Sequence, residues 1–227
     1  MLIAVACFAT TQLAASVHAE SVVLHAVSNA NVSDLDDDGI FENLNDLHPS
    51  TYGLTMANFR GYSTIEGFEH RAVIEFDLSS LPSSAIVQSL TFGFQAVSVA
   101  NGPDNTTIDL FGFAGDGVAD LDDATSTGTL LGSYDYHLLQ LGVKTVSLDV
   151  SALQSILGSS SYLGLRLQAR DVTGNTSIAS LESSSFRTPP TLEVEYRTGI
   201  VPEPNSLALL GVGAFGLALV LARRRAA

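Results

Sequence analysis

Apolar and polar side chains alternate with a period of two along much of the chain between residues 20 and 200. Such alternation is typical of β-strands that bury one face, because successive side chains point to opposite sides of a sheet. Helical periodicity is brief, and residues 151–157 are predicted to form a single helical turn capped by Ser151. The pattern predicts about eight strands, at or near residues 21–26, 70–76, 86–99, 107–114, 134–136, 143–150, 162–169 and 192–196.

The fold class follows from these strands and from the loops between them. The loops are rich in Gly, Ser, Asn, Asp and Pro, which favours an all-β, antiparallel two-sheet sandwich, most simply a jelly roll. We expect the core to consist of the inward alternating positions. These positions are Ala72, Ile74, Phe76, Leu90, Phe92, Phe94, Ala96, Val146, Leu148, Val150, Leu163, Leu165, Leu167, Leu192, Val194 and Tyr196.

The first 19 residues are predicted to be a signal peptide. Residues 2–9 (LIAVACFA) are apolar and too short to span a membrane, and Val17-His18-Ala19 has the small residues that a signal peptidase reads. Cleavage before Glu20 would remove Cys7, the single cysteine of the chain. No Lys or Arg precedes the apolar stretch. The mature protein would then lack internal disulfides, which a domain of this size does not need.

The charge of the chain is strongly negative and concentrated in its middle part. The formal net charge is −14, and 23 of the 24 acidic residues but only seven of the ten basic residues lie between residues 20 and 200. Such a surface repels nucleic acid phosphates and anionic lipid headgroups, which argues against nucleic acid as a partner. Solubility outside the cell is sufficient to explain the acidity.

The C-terminal tail, residues 201–227, has three parts. A proline-containing motif precedes an uncharged stretch, residues 206–222 (SLALLGVGAFGLALVLA), which as a helix would be roughly 25 Å long, slightly short of a hydrocarbon core. The motif consists of Val201, Pro202, Glu203 and Pro204. The basic cluster consists of Arg223, Arg224 and Arg225, which would hold their end in the cytoplasm and leave the body outside.

This tail resembles the PEP-CTERM sorting signal of Gram-negative bacteria, which has the same three parts in the same order. An ordinary tail anchor is the alternative, but it gives no reason for Pro-Glu-Pro directly before the helix. The resemblance implies recognition by an exosortase, a membrane protease-transpeptidase, and only transient anchoring in the inner membrane. It also implies an association with exopolysaccharide and with biofilm or floc matrix.

The body carries a second resemblance, which spans most of residues 22–196. Residues 70–82 (HRAVIEFDLSSLP) and 85–90 (AIVQSL), followed by Leu148-Asp149-Val150 and residues 189–196 (PPTLEVEY), resemble the hallmark of DNRLRE-type domains. Those domains are jelly-roll modules of bacterial surface proteins, related to carbohydrate-binding modules. The resemblance specifies fold better than function. Taken with the strand pattern and the tail, we expect a β-sandwich domain at 20–196 and a linker at 197–200.

Residues 34–39 (DLDDDG) fit the start of a calcium loop, in which positions 1, 3 and 5 supply carboxylates and a glycine at 6 turns the chain. Position 12 is Asn45 rather than the usual glutamate, and no flanking helices are predicted. A solvated acidic loop is the alternative, as it is for a second acidic stretch at 116–123. The candidate calcium ligands are Asp34, Asp36, Asp38, Ile40 through its carbonyl, and Glu42.

Catalysis has little support in the sequence. It contains no G-x-S-x-G, no H-E-x-x-H and no phosphate loop, and its histidines lack metal-ligand spacing. A carboxylate pair could serve a glycan hydrolase, but among so many acidic residues some pair always exists. Sugar binding would need aromatic faces; the chain has no Trp, and Tyr134 and Tyr136 are better explained by packing.

We therefore expect a non-enzymatic protein of the cell surface or extracellular matrix. It would leave the cytoplasm through its signal peptide, stay briefly in the inner membrane and be processed by an exosortase. A calcium-stabilised carbohydrate-binding module that holds exopolysaccharide is the alternative, and a glycan hydrolase is a third.

Overall fold

Eleven β-strands make up most of the chain that the structure describes. The structure is a computed structural model, and it describes residues 19–36, 38–44, 54–59, 68–100, 105–137, 141–157, 159–170, 173–178 and 188–198. A 3₁₀ helix at Asp122–Ala124 and the helix α1 (Val150–Leu157) interrupt the strands. The strands are β1 (Ala19–Asp34), β2 (Asn43–Leu44), β3 (Leu54–Phe59), β4 (Phe68–Asp77), β5 (Ala85–Ala100), β6 (Asn105–Gly115), β7 (Thr129–His137), β8 (Gly142–Ser147), β9 (Tyr162–Ala169), β10 (Thr173–Ile178) and β11 (Thr191–Thr198).

The strands form one nearly closed antiparallel sheet. Its order is β2-β1-β11-β5-β10-β3-β4-β9-β6-β7, and β8 pairs with β5. Because β1 also pairs with β4, the path from β1 through β11, β5, β10 and β3 to β4 returns to its starting strand. Ala19–Arg197 make up one compact unit that contains this sheet.

Strand β1 closes the sheet by pairing with two partners in succession. Its residues from Ala19 to His25 pair with β11, and those from Ala26 to Asp34 pair with β4. A β-bulge at Val27 separates the two halves, since Ala26 pairs with Phe76 and Ser28 with Glu75. The extra residue reverses which side chains point inward, because side chains alternate strictly along a strand.

The main core lies on the inner face of the sheet and confirms the predicted inward positions. The residues predicted from alternation on β4, β5, β9 and β11 are all buried and belong to a single cluster, as do Val146 and Leu148; Val150 is partly buried against it. Phe92 stacks on Phe94 with ring centroids 5.4 Å apart and meets Phe76 edge-on at 6.3 Å. Tyr134 packs edge-on against Phe94 at 5.4 Å, so its ring contributes to packing.

The strand count predicted from the sequence is too low. The missed strands are β2, β3 and β10, and β1 extends well beyond the predicted residues 21–26. β2 has only two residues, and β10 (TGNTSI) holds one apolar residue, so neither carries an alternating pattern. β2 becomes a strand by pairing with β1. β3 and β10 become strands because they pair with each other, β3 also with β4 and β10 also with β5.

Helix α1 is capped by a different residue from the one predicted. The side chain of Asp149 accepts hydrogen bonds from the Ser151 backbone N–H at 2.8 Å and from the Ser151 hydroxyl at 2.6 Å. The Asp149 carbonyl accepts the N–H of Leu153 at 3.3 Å, the first bond of the helix. Asp149 therefore occupies the N-cap, and Ser151 lies inside the first turn.

The face of β1, β4, β6 and β9 that points away from the main core, called here the outer face, is also covered. Glu75 and Gly164 lie opposite each other on this face, as do Phe113 and Gly164. A second buried group, called here the outer cluster, lies upon it. The outer cluster consists of Ala30, Val32, Phe41, Val73, Phe113, Ala119 and Ala124.

Gly164 leaves room for the Phe113 ring on the outer face. A Cβ atom at position 164 would lie 2.2 Å from two carbons of that ring, which is only 3% exposed. We expect Gly164→Ala to lower the free energy of unfolding by about 1–3 kcal/mol, because the added methyl overpacks the outer cluster. Urea denaturation of the full chain in non-ionic detergent would measure this.

A double-mutant cycle with Phe113→Leu provides the control. The smaller side chain removes the obstructing ring carbons, so Gly164→Ala should cost at least 0.5 kcal/mol less in that background. Strictly additive effects would show that the ring does not limit the space at position 164.

Candidate functional site

Two acidic loops cover the outer face of the sheet. The first acidic loop, residues 34–42, begins at the last residue of β1, and the second acidic loop, residues 116–126, lies between β6 and β7. Phe41 of the first loop and Ala119 and Ala124 of the second belong to the same outer cluster. The outer cluster therefore anchors both loops to the same face of the sheet.

Asp34 shapes the first acidic loop. It is the last residue of β1, only 1% exposed, and its Oδ2 accepts the Gly39 N–H at 2.8 Å while its Oδ1 accepts the Asp36 N–H at 3.3 Å. Gly39 has φ = +88°, a left-handed conformation that costs glycine little. The loop therefore turns where a calcium loop requires its glycine.

The structure brings four predicted carboxylates of the first loop together. One ligand oxygen from each lies within 4.8 Å of the others, and three of the side chains are exposed to solvent. Asp38 Oδ1 also accepts the Ile40 N–H at 2.8 Å, and the Glu42 N–H donates to a β1 carbonyl at 3.1 Å. The convergent residues are Asp34, Asp36, Asp38 and Glu42. Position 12 of the motif, Asn45, lies outside the described residues.

The second acidic loop is held in shape by hydrogen bonds between its carboxylates and backbone amides two or three residues away. Asp116 Oδ1 accepts the Val118 N–H at 2.9 Å, and Asp120 Oδ1 accepts the Asp122 N–H at 2.9 Å. Asp123 Oδ2 accepts the Asp120 N–H at 3.0 Å. Each of these three aspartates thus uses one oxygen to hold a turn, as aspartate commonly does in loops.

Two arginines attach the second acidic loop to the sheet. Arg71 of β4 and Arg166 of β9 both donate to the carbonyl oxygen of Ala124, the Arg166 bond being 3.1 Å long. Arg166 also donates to the Ser126 carbonyl at 2.7 Å, and Arg71 forms an ion pair with Glu69 at 2.7 Å. Hydrogen bonds from charged donors are stronger than neutral ones, so this clamp fixes the loop over the outer cluster.

The same guanidinium groups lie against aromatic rings. Arg71 is 4.4 Å from the centroid of Phe41, and Arg166 is 5.2 Å from that of Phe111. Burial, and then the neighbouring charge of Arg71, lowers the pKa of Arg166. Sequence reasoning did not identify these two arginines as a clamp on the second acidic loop. The available signal was Arg166, a charged residue in the middle of a strand, between two leucines.

Glu75 of β4 lies beneath the second acidic loop. It is fully buried, and its Oε2 accepts the Gly117 N–H at 3.1 Å. Burial raises the pKa of Glu75 to about 7, although the Gly117 bond opposes the shift. Burial likewise raises the pKa of Asp123 to about 6. Sequence reasoning missed Glu75, because alternation predicts a solvent-facing carboxylate and contains no information about the loop above it.

A cavity of about 320 Å³ lies at the turn after β4. Its lining includes Leu78, Pro82 and Ser160, and none of the lining residues is aromatic or charged. Sugar recognition relies on aromatic faces together with fixed polar groups, and this cavity offers serines alone. The other aromatic candidates for stacking, Tyr136 among them, have side chains outside the described part of the chain.

The residues of the sorting tail, from Val201 through Arg225, lie outside the described residues. Within the described ranges, neither helix has the length and hydropathy of a membrane span. The predicted transmembrane helix at 206–222 is therefore outside the scope of the structure.

The raised pKa values of Glu75 and Asp123 predict a pH dependence of stability in calcium-free buffer. Both groups bind protons more tightly in the folded state, so their stabilising contribution is complete below about pH 4 and is lost as the pH rises through 6 and 7. We expect the free energy of unfolding to fall by on the order of 1–3 kcal/mol between pH 5 and pH 8. Urea denaturation in the presence of a chelator would measure it.

Glu75→Gln should reduce this pH dependence, since a neutral amide cannot titrate, and leave only the part that belongs to Asp123. Glu193→Gln, which removes an exposed carboxylate from β11, serves as the matched control and should keep the wild-type slope. Equal slopes in the wild type and in Glu75→Gln would contradict the assignment to Glu75.

Comparison with models of protein families finds a match in the tail. Residues 201–225 match the family model described as the PEP-CTERM protein-sorting motif. No curated protein matches the chain, and the resemblance of residues 22–196 to DNRLRE-type domains stays a prediction.

The match has direct consequences for sorting. The motif implies processing by an exosortase, and with it export and membrane-linked sorting of the protein to the cell surface. The matched segment includes the predicted motif at Val201–Pro204 and the basic cluster that ends at Arg225. The chain therefore carries a PEP-CTERM sorting motif at residues 201–225.

Proposed function

We propose that this protein is a non-enzymatic structural component of the cell surface or extracellular matrix, released there after an exosortase acts on its tail. The match of residues 201–225 to the PEP-CTERM sorting motif carries this proposal. The proposal adds to that match a role in exopolysaccharide or biofilm matrix, and a body that acts by packing and binding rather than by catalysis.

The chemistry of the tail supports insertion into the inner membrane, and its match to the sorting motif supports anchoring that is transient. Seventeen uncharged residues at 206–222 are just long enough to enter a bilayer, and the arginines at 223–225 resist translocation. As a membrane anchor of this orientation, the tail would keep the body outside the cytoplasm and Pro202–Pro204 beside the membrane surface. A membrane-embedded processing enzyme could then reach the motif, and a signal peptidase would act at the other end.

The described part of the body supports a structural role. Its polar groups on the outer face are largely used to hold loops, as Arg71 and Arg166 hold Ala124. We further propose that the nearly closed sheet is a jelly roll of two facing layers, with β1 passing from one layer to the other at its bulge. In that arrangement the cluster around Phe76 and Phe92 is the filling between layers.

Replacing Pro202, Glu203 and Pro204 with alanine should abolish processing but leave membrane insertion intact. The apolar stretch and the arginines set insertion, whereas the motif is what a processing enzyme would read. Fractionation and the apparent mass of the chain, followed in a host that encodes an exosortase, would show full-length protein retained in the membrane.

Alanine substitutions at Thr198, the last residue of β11, and at Gly199 and Ile200 are the matched control, because they change the three residues directly before the motif and keep the motif. This variant should be processed as the wild type is. Normal processing of the motif variant would contradict a sorting role for Pro202–Pro204 and would favour a simple membrane anchor.

The geometry of the first acidic loop favours a second candidate function, a calcium-stabilised carbohydrate-binding module. Asp34, Asp36, Asp38 and Glu42 converge within 4.8 Å, and Gly39 makes the turn that such loops require. The Ile40 carbonyl would supply the ligand at position 7. Calcium would cancel the mutual repulsion of these carboxylates and could bridge the acidic body to polysaccharide.

Calcium should raise the melting temperature of the full chain in non-ionic detergent. At 5 mM calcium and a Kd on the order of 10⁻⁴–10⁻³ M, the gain is about 1–2 kcal/mol, or about 2–8 °C. Asp36→Asn should reduce this rise, since Asp36 is exposed and removing its charge leaves the Asp34 hydrogen bonds in place.

Asp135→Asn, at an exposed position on β7, is the control and should behave as the wild type does. Retention on a panel of immobilised polysaccharides, with and without chelator, tests the carbohydrate part of the alternative. A melting temperature insensitive to chelator would exclude the calcium loop, and no retention on any glycan would exclude the binding module.

A further inference from the structure

Glu75 has a buried carboxylate oxygen without a partner. The residue has no exposed surface, its Oε2 accepts one backbone N–H from Gly117, and its Oε1 forms no hydrogen bond within the described structure. A buried carboxylate normally has its oxygens satisfied by donors or by a positive charge, because desolvation is costly. Among the described residues, no ion pair reaches Glu75.

The groups nearest to Glu75 increase its need for a positive partner. The electrostatic influence of Asp123, Asp116 and Asp120 acts against its ionised form. These three aspartates each hold a backbone amide with one oxygen and leave the second oxygen without a hydrogen bond in the described structure. The two arginines on the same face donate to Ala124 and Ser126 instead.

The backbone at the end of β6 and at the start of the second acidic loop approaches this carboxylate closely. A Cβ at Gly115 would lie 2.0 Å from Glu75 Oε2 and 2.5 Å from Oε1, so any side chain there would displace the carboxylate. Gly117 has φ = +95°, which lets its N–H point at Glu75. Both glycines let the backbone lie against the Glu75 carboxylate, a group whose burial is otherwise unfavourable.

We propose that Glu75 and the second acidic loop form a divalent cation site, with Glu75 Oε1 as the buried ligand and Asp116, Asp120 and Asp123 as the candidate loop ligands. The donor set contains only oxygen, as hard cations require, and an irregular loop suits the flexible coordination of calcium better than the strict octahedron of magnesium. A divalent ion would also offset the repulsion among four acidic groups, which a single proton does only in part.

Binding is expected to turn the aspartate side chains of the second acidic loop toward Glu75. Among the described acidic groups, only that of the first acidic loop has its ligand oxygens within 4.8 Å of one another. Asp116 is exposed and Asp123 half-buried, and each holds a backbone amide with only one of its two oxygens. This second site is independent of the sorting function and of the first acidic loop.

Equilibrium dialysis of the full chain against calcium in non-ionic detergent at pH 7.5 tests the site. Glu75→Gln should bind one calcium ion fewer per chain than the wild type, and Asp116→Asn should weaken that binding by at least tenfold. Glu193→Gln and Asp36→Asn separate the alternatives, because the first removes only an exposed charge and the second affects only the first acidic loop.

The expected result is a loss of one ion in Glu75→Gln with any ion of the first loop retained. The same stoichiometry and affinity in the wild type, Glu75→Gln and Asp116→Asn would overturn the proposal, even where Asp36→Asn removes an ion. No binding to the wild type at 5 mM calcium would overturn it as well. Should Glu75→Gln fail to fold, Asp116→Asn decides, because its side chain is exposed.

Discussion

A single extra residue at Val27 allows one strand to take part in two pairings and so to close the sheet. Up to Ala26, the inward positions of β1 contribute apolar side chains to the main core. Beyond the bulge, Asn29, Asn31 and Ser33 share the inner face with Ile74, Ala72 and His70, their partners on β4. The hydroxyl of Ser33 lies 2.6 Å from His70 Nδ1, so polar pairing takes over from apolar packing at that end of the strand.

The reversal at the bulge also determines what lies outside. Ala30 and Val32 face outward, where the other residues of the outer cluster cover them. Asp34 emerges on the same outer side, where its carboxylate organises the first acidic loop. A register without the bulge would exchange the two faces of this half of β1, so both acidic loops depend on it.

The outer cluster is small, and its side chains alone provide modest apolar burial. Charged clamps add to it: Arg71 and Arg166 converge on one carbonyl, that of Ala124. Burying a guanidinium costs desolvation free energy, which carbonyl and carboxylate acceptors must offset. The two arginines therefore determine the position of the second acidic loop more than they add net stability. Each arginine would be costly to leave buried without the acceptors of that loop.

Local patterns in the sequence predicted the parts of the structure that depend on local geometry. Alternation identified the buried positions of β9, because residues two apart on a strand always share a face. The spacing of Asp34, Asp36 and Asp38 predicted that their carboxylates converge, because a six-residue turn brings these positions together. Alternation could not show that Arg166 and Glu75 would be buried, because their cover comes from a loop between β6 and β7 that is distant in sequence.

Strands without a pattern of their own were equally beyond sequence reasoning. β10 is polar throughout except for Ile178, and only its pairing with β3 and β5 makes it a strand. Such a segment takes its conformation from hydrogen bonds to neighbours far along the chain. The tail is the opposite case, because a sorting motif is read as a linear sequence and needs no fold to be recognised.

The tail and the two acidic loops can be connected through the compartment in which the body works. A sorting motif that delivers the body to the cell surface places it where calcium sites of modest affinity, with Kd on the order of 10⁻⁴–10⁻³ M, are typically used. Before export, Glu75 and the aspartates above it would lack a cation, and their repulsion would weaken the hold on the second acidic loop. Outside, calcium bound at the proposed sites would remove that repulsion, so the body would reach its full stability only after export.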